Sequence, residues 1–238
     1  MNNPIKHTAQ RSSSQKLYIL NDNTTFAVQE AYKSLRTNIM FALPGKECKC
    51  IGVTSPVSGD GKSTTAVNLA ISLAQIGKRV LLIDCDLRLP TVSAKLGIRP
   101  TPGLSDFLIG EVRIDEAIRN VEKYGIHVLP ASNVPADPTG LLDSKQMEHL
   151  FVALRRNYEY VIVDLPPVTV VSDALIISKC LDGYLLAVRQ KKTKHRAVAE
   201  AIRNLQFADA KVLGAVVTGG DYHEKRYDHY YSKRRFRK

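Results

Sequence analysis

Cys50-Ile51-Gly52-Val53-Thr54-Ser55-Pro56-Val57-Ser58-Gly59-Asp60-Gly61-Lys62-Ser63-Thr64 is the stretch on which the fold turns. Its first five residues form a short apolar, β-branched run of the kind that becomes a strand buried on both faces. Gly59 and Gly61 then let the backbone come close to an anion and turn its N–H groups inward. Over residues 62–76, Ala66, Leu69, Ala70, Leu73 and Ala74 recur at helical spacing. The loop therefore runs into a helix whose free amides and positive dipole end face the same anion. In this setting Ser58, Gly59, Asp60, Gly61, Lys62, Ser63 and Thr64 form a phosphate-binding loop: Lys62 reaches the outer phosphates and the Ser63 hydroxyl ligates magnesium. Pro56 stands where the usual G-x-x-x-x-G-K-[ST] pattern has its first glycine.

On either side of this unit the chain alternates in the same way. Strands are predicted at residues 50–54, 79–84, 126–129, 160–164, 183–189 and 212–218. Helices are predicted at 26–43, where Val28, Ala31, Leu35 and Ile39 share a face, at 62–76, and at 144–157, where Met147, Leu150, Phe151 and Leu154 do so. Strands alternating with helices imply crossover units and a mostly parallel sheet covered on both sides, an α/β fold. Ligands of such sheets sit beyond the carboxyl ends of the strands. Two further strand ends carry acids there. Leu81-Leu82-Ile83-Asp84-Cys85-Asp86-Leu87-Arg88 places Asp84, Asp86 and Arg88 at alternate positions, so all three are expected to face one site. Tyr160-Val161-Ile162-Val163-Asp164 ends on the acid that a nucleotide-hydrolysing or phosphoryl-transfer site uses to hold magnesium, directly or through water.

Composition narrows the choices. Hydrophobic residues make up 44% of the 238 and charged residues 24%, which excludes wholesale disorder. No run approaches the ~18 apolar residues of a spanning helix, and the polar opening offers no secretory core, so the expected place is the cytoplasm. The formal net charge of +11 is concentrated at the ends: three bases and no acid in residues 1–20, seven bases against three acids in 221–238. Basic tails rather than a basic folded face argue against nucleic-acid reading, and no nucleic acid is expected. Such ends can also meet anionic lipid. Cys48, Cys50, Cys85 and Cys180 lack zinc-ligand spacing and are read as free thiols.

Together these residues resemble the bacterial tyrosine kinase family, and within it the stand-alone cytoplasmic kinases of capsule and exopolysaccharide operons. The similarity runs from about Glu30 to the C-terminus. Glu30, Lys33 and Arg36 are similar to the family's E-x-x-R-x-x-R helix, which packs subunits into a ring. Lys33 keeps the charge of the middle arginine without its planar fork. Asp84-x-Asp86-x-Arg88 and Asp164-x-Pro166-Pro167 are similar to its acidic motifs, and residues 135–142 to its P-x-N-P-x-E-L-L loop, with Asp137 and Gly140 as departures. Four of the ten tyrosines, Tyr222, Tyr227, Tyr230 and Tyr231, cluster in the last 17 residues with almost no aliphatics beside them. In the family such a cluster accepts phosphate; otherwise it would stack on nucleic acid or lie at a lipid interface.

The resemblance implies a P-loop NTPase-like three-layer sandwich. It also implies an ATP-dependent protein-tyrosine kinase with Mg2+ as cofactor, the ion held by Ser63, Asp84 and Asp164. Lys62 offsets charge on the transferred phosphoryl group. Asp84 and Asp86 are the candidate bases, with Asp86 favoured, and Arg88 is a transition-state or positioning contact. It implies a homo-oligomer ring when dephosphorylated, a transmembrane adaptor that activates the kinase at the inner face of the membrane, and a phosphotyrosine phosphatase. The expected organisation is a basic segment over residues 1–25, a kinase domain over 26–220 that includes the oligomerisation helix at 26–43, and a tyrosine-rich tail over 221–238. Two other classes share the phosphate loop. A septum-placement or partition ATPase carries a lysine five positions before the loop lysine, where this chain has Val57. A non-catalytic module that uses ATP only for assembly has no need of the full set Lys62, Ser63, Asp84, Asp86 and Asp164.

Overall fold

The computed structural model describes residues 18–220. Helix α1 (Phe26–Ala42) precedes strand β1 (Lys49–Thr54), and helix α2 (Lys62–Ala74) leads to strand β2 (Val80–Asp84). Three short helices follow, α3 (Val92–Leu96), α4 (Leu104–Leu108) and α5 (Ile114–Ala117), and then strands β3 (Arg119–Val121) and β4 (Ile126–Leu129). Helices α6 (Pro138–Leu142) and α7 (Lys145–Asn157) come before strand β5 (Tyr160–Asp164). Helix α8 (Asp173–Ile176), strand β6 (Gly183–Arg189), helix α9 (His195–Phe207) and strand β7 (Val212–Thr218) complete the described chain.

The seven strands form one sheet in the order β3-β4-β2-β5-β1-β6-β7. Every neighbouring pair is parallel except β3–β4. Alternating residues feed two cores. Leu81, Ile83, Val161 and Val163 face Met147, Leu150, Phe151, Leu154, Ala201 and Leu205 on one side. Val80, Leu82, Tyr160 and Ile162 face Ile39, Val67, Ala70 and Leu73 on the other. The three-layer sandwich is thus built, and it explains why the strands read as unbroken apolar runs: both of their faces are buried.

Element ends fall within two residues of the sequence expectations. The cause at α7 is plain: Ser144 is its N-cap, accepting from Met147 N at 3.2 Å, so the helix proper begins one residue later. Helix α9 is not among the elements read from the sequence, although Val198, Ala201, Ile202 and Leu205 carry its 3.6-residue period. The edge strand β3 gave no usable signal, since three residues are too short for an alternation pattern. All four cysteines are free and buried; Cys85 lies one residue past the end of β2.

Helix α1 docks on α2 through Arg36, whose Nη1 donates to the Ser72 carbonyl at 2.6 Å. Of the three residues expected to serve oligomerisation, Arg36 is therefore engaged within its own chain, while Lys33 pairs with Glu30 at 2.8 Å.

Gly52 sits in the central strand, and a Cβ there would stand 2.8 Å from both Leu165 Cδ1 and Leu181 Cδ1. Gly52→Ala is expected to destabilise the protein by about 1–3 kcal/mol through overpacking, read as a lower urea midpoint with an unchanged slope.

Candidate active site

The sheet order sets β1 between β5 and β6 and puts β2 on the far side of β5. Val53 is registered with Asp164, and Asp164 with Asp84. The phosphate loop therefore leaves its strand beside two acids on adjacent strands. Gly59 and Gly61 hold φ values of 84° and 93° within the loop, a backbone region that favours glycine. The loop is braced from β5's exit: Thr54 Oγ1 donates to the Pro166 carbonyl at 2.7 Å and Thr169 Oγ1 to the Pro56 carbonyl at 2.6 Å. Val168 N donates to the Ser55 carbonyl at 3.0 Å. Pro56, in place of the usual glycine, keeps its carbonyl in this brace.

At the first turn of α2, the Lys62 ammonium is buried among acids. It donates to Asp86 Oδ2 at 2.7 Å and lies 3.4 Å from Asp164 Oδ1 and 3.2 Å from Ser63 Oγ. Burial alone would drive the lysine towards its neutral form, but the carboxylates of Asp164 and Asp86 outweigh that, and the net effect keeps it charged. Burial raises the Asp164 carboxyl in turn, against the opposing pull of Lys62.

The three residues expected to face one site from alternate strand positions divide instead. The strand ends at Asp84, so strand alternation does not extend to residues 86 and 88. Asp84 turns into the loop that follows, accepting from Asp86 N at 3.2 Å, Thr91 N at 3.1 Å and Val92 N at 3.0 Å. Asp86 faces Lys62, and its other oxygen accepts from Leu89 N at 3.1 Å. Arg88 leaves the site: Nε and Nη2 form a bidentate pair with the buried Asp173 at 2.8 and 3.0 Å, and Nη2 also donates to Thr139 Oγ1 at 2.8 Å. That arrangement corrects the expectation of one shared face and makes Arg88 a tie between the exit of β2, α6 and α8.

Several residues around the site have no role of their own in the sequence reading. Asp173 and Thr139 complete the Arg88 tie. Thr193 Oγ1 donates to Asp60 Oδ1 at 2.7 Å, Thr218 Oγ1 to the Asp60 carbonyl at 2.6 Å and Arg189 Nη1 to the Gly59 carbonyl at 3.2 Å. These come from the ends of β6 and β7 and the loop after β6, more than a hundred residues away along the chain. The departures at Asp137 and Gly140 prove linked: Asp137 caps α6 by accepting from Gly140 N at 2.9 Å, and a side chain at residue 140 would collide with that carboxylate.

A family profile described as AAA domain matches residues 48–212. The chain is 39% identical over 190 residues to tyrosine-protein kinase YwqD of Bacillus subtilis, covering 80% of each chain. It is 35% identical over 203 residues to tyrosine-protein kinase CpsD of Streptococcus agalactiae, covering 82% of this chain and 88% of that protein. Its structure superposes on the kinase domain of the Escherichia coli tyrosine kinase ETK with a TM-score of 0.77 and 29% identity, over 82% of this chain and 78% of that one. The chain belongs to the bacterial tyrosine kinases.

The kinase's site suits a nucleotide with magnesium. Asp164 Oδ2 is buried without a hydrogen-bond partner, and its other oxygen and the Ser63 hydroxyl lie 3.4 and 3.2 Å from the same Lys62 ammonium. An orphaned carboxylate oxygen beside a hydroxyl at the mouth of a phosphate loop is a donor set for a hard cation. Among the described residues no group of three or more His, Cys, Asp or Glu could hold a metal alone. Magnesium takes one or two protein oxygens and completes its shell from phosphates and water.

The kinase's stability should carry the mark of Asp84, whose carboxyl is pushed up to about 8, first by burial and then by Asp164. It binds its proton more tightly in the folded than in the unfolded chain. The native state's advantage from this group is thus present below pH 3.8 and gone above about pH 8. Asp84→Asn, which can still accept from the Thr91 and Val92 amides, is expected to lose less stability than the wild type between pH 5 and pH 8. Urea midpoints at the two values check this.

Proposed function

We propose that the chain is an ATP-dependent autokinase whose substrates are tyrosines of its own tail, with transfer occurring between subunits. The observation that carries this reading is the exit of β7. Thr218, the last residue of that strand, bonds the carbonyl of Asp60 in the phosphate loop, so Gly219 and Gly220 send the chain away from the nucleotide edge itself. Tyr222, Tyr227, Tyr230 and Tyr231 lie outside the described residues. A segment of 18 residues reaches ~60 Å when extended, enough to enter a neighbouring site.

Phosphoryl transfer rests on positioning and charge. Ser58 to Thr64 would cradle the phosphates of ATP, and Ser63 with Asp164 would hold magnesium, which when bound supplies charge neutralisation at the phosphates. Lys62 moves its ammonium from Asp86 to the outer phosphates. That exchange frees Asp86 Oδ2 to accept the proton of a tyrosine hydroxyl, which by itself ionises only near pH ~10. Asp84, engaged by three backbone amides, shapes the loop that presents Asp86 and is the weaker candidate for base or metal ligand. Arg88 acts as a positioning residue through Asp173 and Thr139.

Resemblance to the stand-alone kinases of capsule and exopolysaccharide operons supports a role in capsule or exopolysaccharide synthesis. Family resemblance adds an activating adaptor in the membrane, a phosphotyrosine phosphatase and a ring of subunits. Among the described residues no helix is long and apolar enough to cross a membrane, so membrane contact would come through the adaptor. Ring formation has a candidate surface on α1, where Phe41 is 79% and Phe26 48% exposed beside the Glu30–Lys33 pair.

Intact mass tests the reading. Co-expressed with the cytoplasmic segment of its adaptor, the wild type should gain up to four phosphates, mapped to the four tail tyrosines, while Lys62→Met gains none. ATP turnover without phosphotyrosine would instead favour a partition-type ATPase. Four phosphates shift the tail from a formal +4 to about −2 to −4. Size-exclusion chromatography should therefore show the ring dissolving on phosphorylation, and an unchanged oligomer would refute that switch.

A further inference from the structure

Residues 189–194, from the last residue of β6 to the start of α9, read Arg-Gln-Lys-Lys-Thr-Lys, four bases with no acid. This loop is fastened to the phosphate loop from the solvent side. Arg189 reaches the Gly59 carbonyl and Thr193 the Asp60 carboxylate. Gln190 N bonds the Thr218 carbonyl at 2.9 Å, and Thr218 in turn holds the Asp60 carbonyl. Lys191 takes a left-handed turn with φ 60°, a conformation that a lysine adopts only when its surroundings impose it. The result is the placement of Lys192: a Cβ on Gly59 would stand 2.9 Å from its Nζ. Gly59 lies at the middle of the turn expected to wrap the phosphates, so its bare α-carbon leaves room for that ammonium. Among the described residues Lys192 forms no ion pair, whereas Lys62, on the inner side of the same turn, is held by Asp86 and Asp164.

We propose that Lys192 is a second nucleotide-binding cation, which closes on the outer phosphates of ATP from the solvent side of the loop while Lys62 serves them from within. Arg189 and Thr193 are its positioning residues. This rests on the reading of residues 58–64 as the ATP phosphate loop. The chemistry favours the assignment. A fully ionised triphosphate brings about four negative charges to one turn, more than a single lysine and a divalent ion offset. A lysine on a flexible four-carbon stem is a point charge that can follow the phosphates as they move. Its supply from the β6–α9 loop also makes nucleotide affinity depend on the strand order, because β6 is the neighbour of β1.

The test is calorimetric titration of the full chain with Mg-ATP, Mg-ADP and AMP, in the wild type, Lys192→Ala, Lys192→Arg and Lys194→Ala. Lys194→Ala removes the same charge from the same loop. The expected result is ATP affinity about tenfold weaker in Lys192→Ala, the equivalent of ~1.4 kcal/mol. The loss should be smaller for ADP and absent for AMP, with Lys192→Arg and Lys194→Ala close to wild type and all four melting at the same temperature. Equal ATP affinity in the wild type and Lys192→Ala would overturn the proposal. So would equal losses in Lys192→Ala and Lys194→Ala, which would reduce the contact to a diffuse field. A wild type that binds no ATP would overturn the phosphate-loop reading itself, a distinguishable outcome.

Discussion

One buried cation organises this molecule. The Lys62 ammonium sits between Asp86 and Asp164 at the carboxyl edge of the sheet, with Asp84 close enough to add to its charge stabilisation. Burying three carboxylates near one lysine costs desolvation, and that burial first, with repulsion among the acids after it, raises the Asp84 and Asp164 carboxyls. A site left short of positive charge in this way is suited to a divalent ion and to a lysine that exchanges partners. The strain of the arrangement and its chemistry have the same origin.

The sheet makes that crowding possible. Parallel register sets Asp84 opposite Asp164, and the strand order brings the phosphate loop in beside them. A helix crossover separates each of these strands from the next in the chain, so residues some eighty positions apart meet at a fixed spacing. The braces from Thr54, Val168 and Thr169 then tie the phosphate loop to the exit of β5, the strand that ends on Asp164.

Around this centre lie two ties built from long-range contacts. Arg88, Asp173 and Thr139 join the exit of β2 to α6 and α8. Arg189, Thr193 and Thr218 join the exits of β6 and β7 to the phosphate loop. The first holds the flank where the 135–142 loop lies, the second the turn over the phosphates. Both depend on side chains whose partners are set by strand neighbours rather than by chain neighbours.

The strands with both faces buried, the phosphate loop and the amphipathic helices were legible in the sequence because each is a local pattern: unbroken apolar runs, two glycines before a lysine, a 3.6-residue period. That Lys62, Ser63 and Asp164 would lie together at the strand ends was legible for the same reason. The direction of each acid after β2 was not. Strand alternation predicts a common face for Asp84, Asp86 and Arg88, but the strand stops at Asp84, and backbone amides then turn that carboxylate one way while Asp173 draws Arg88 another. Nor does anything near Thr193, Thr218 or Lys192 announce a place beside the phosphate loop, since the sheet order that puts β6 next to β1 is a property of the whole packed core. Sequence alone thus determined which residue types could perform the chemistry. Tertiary structure decided which of them share the site, because side-chain direction beyond a strand's end is set by the partners that packing brings within hydrogen-bond reach.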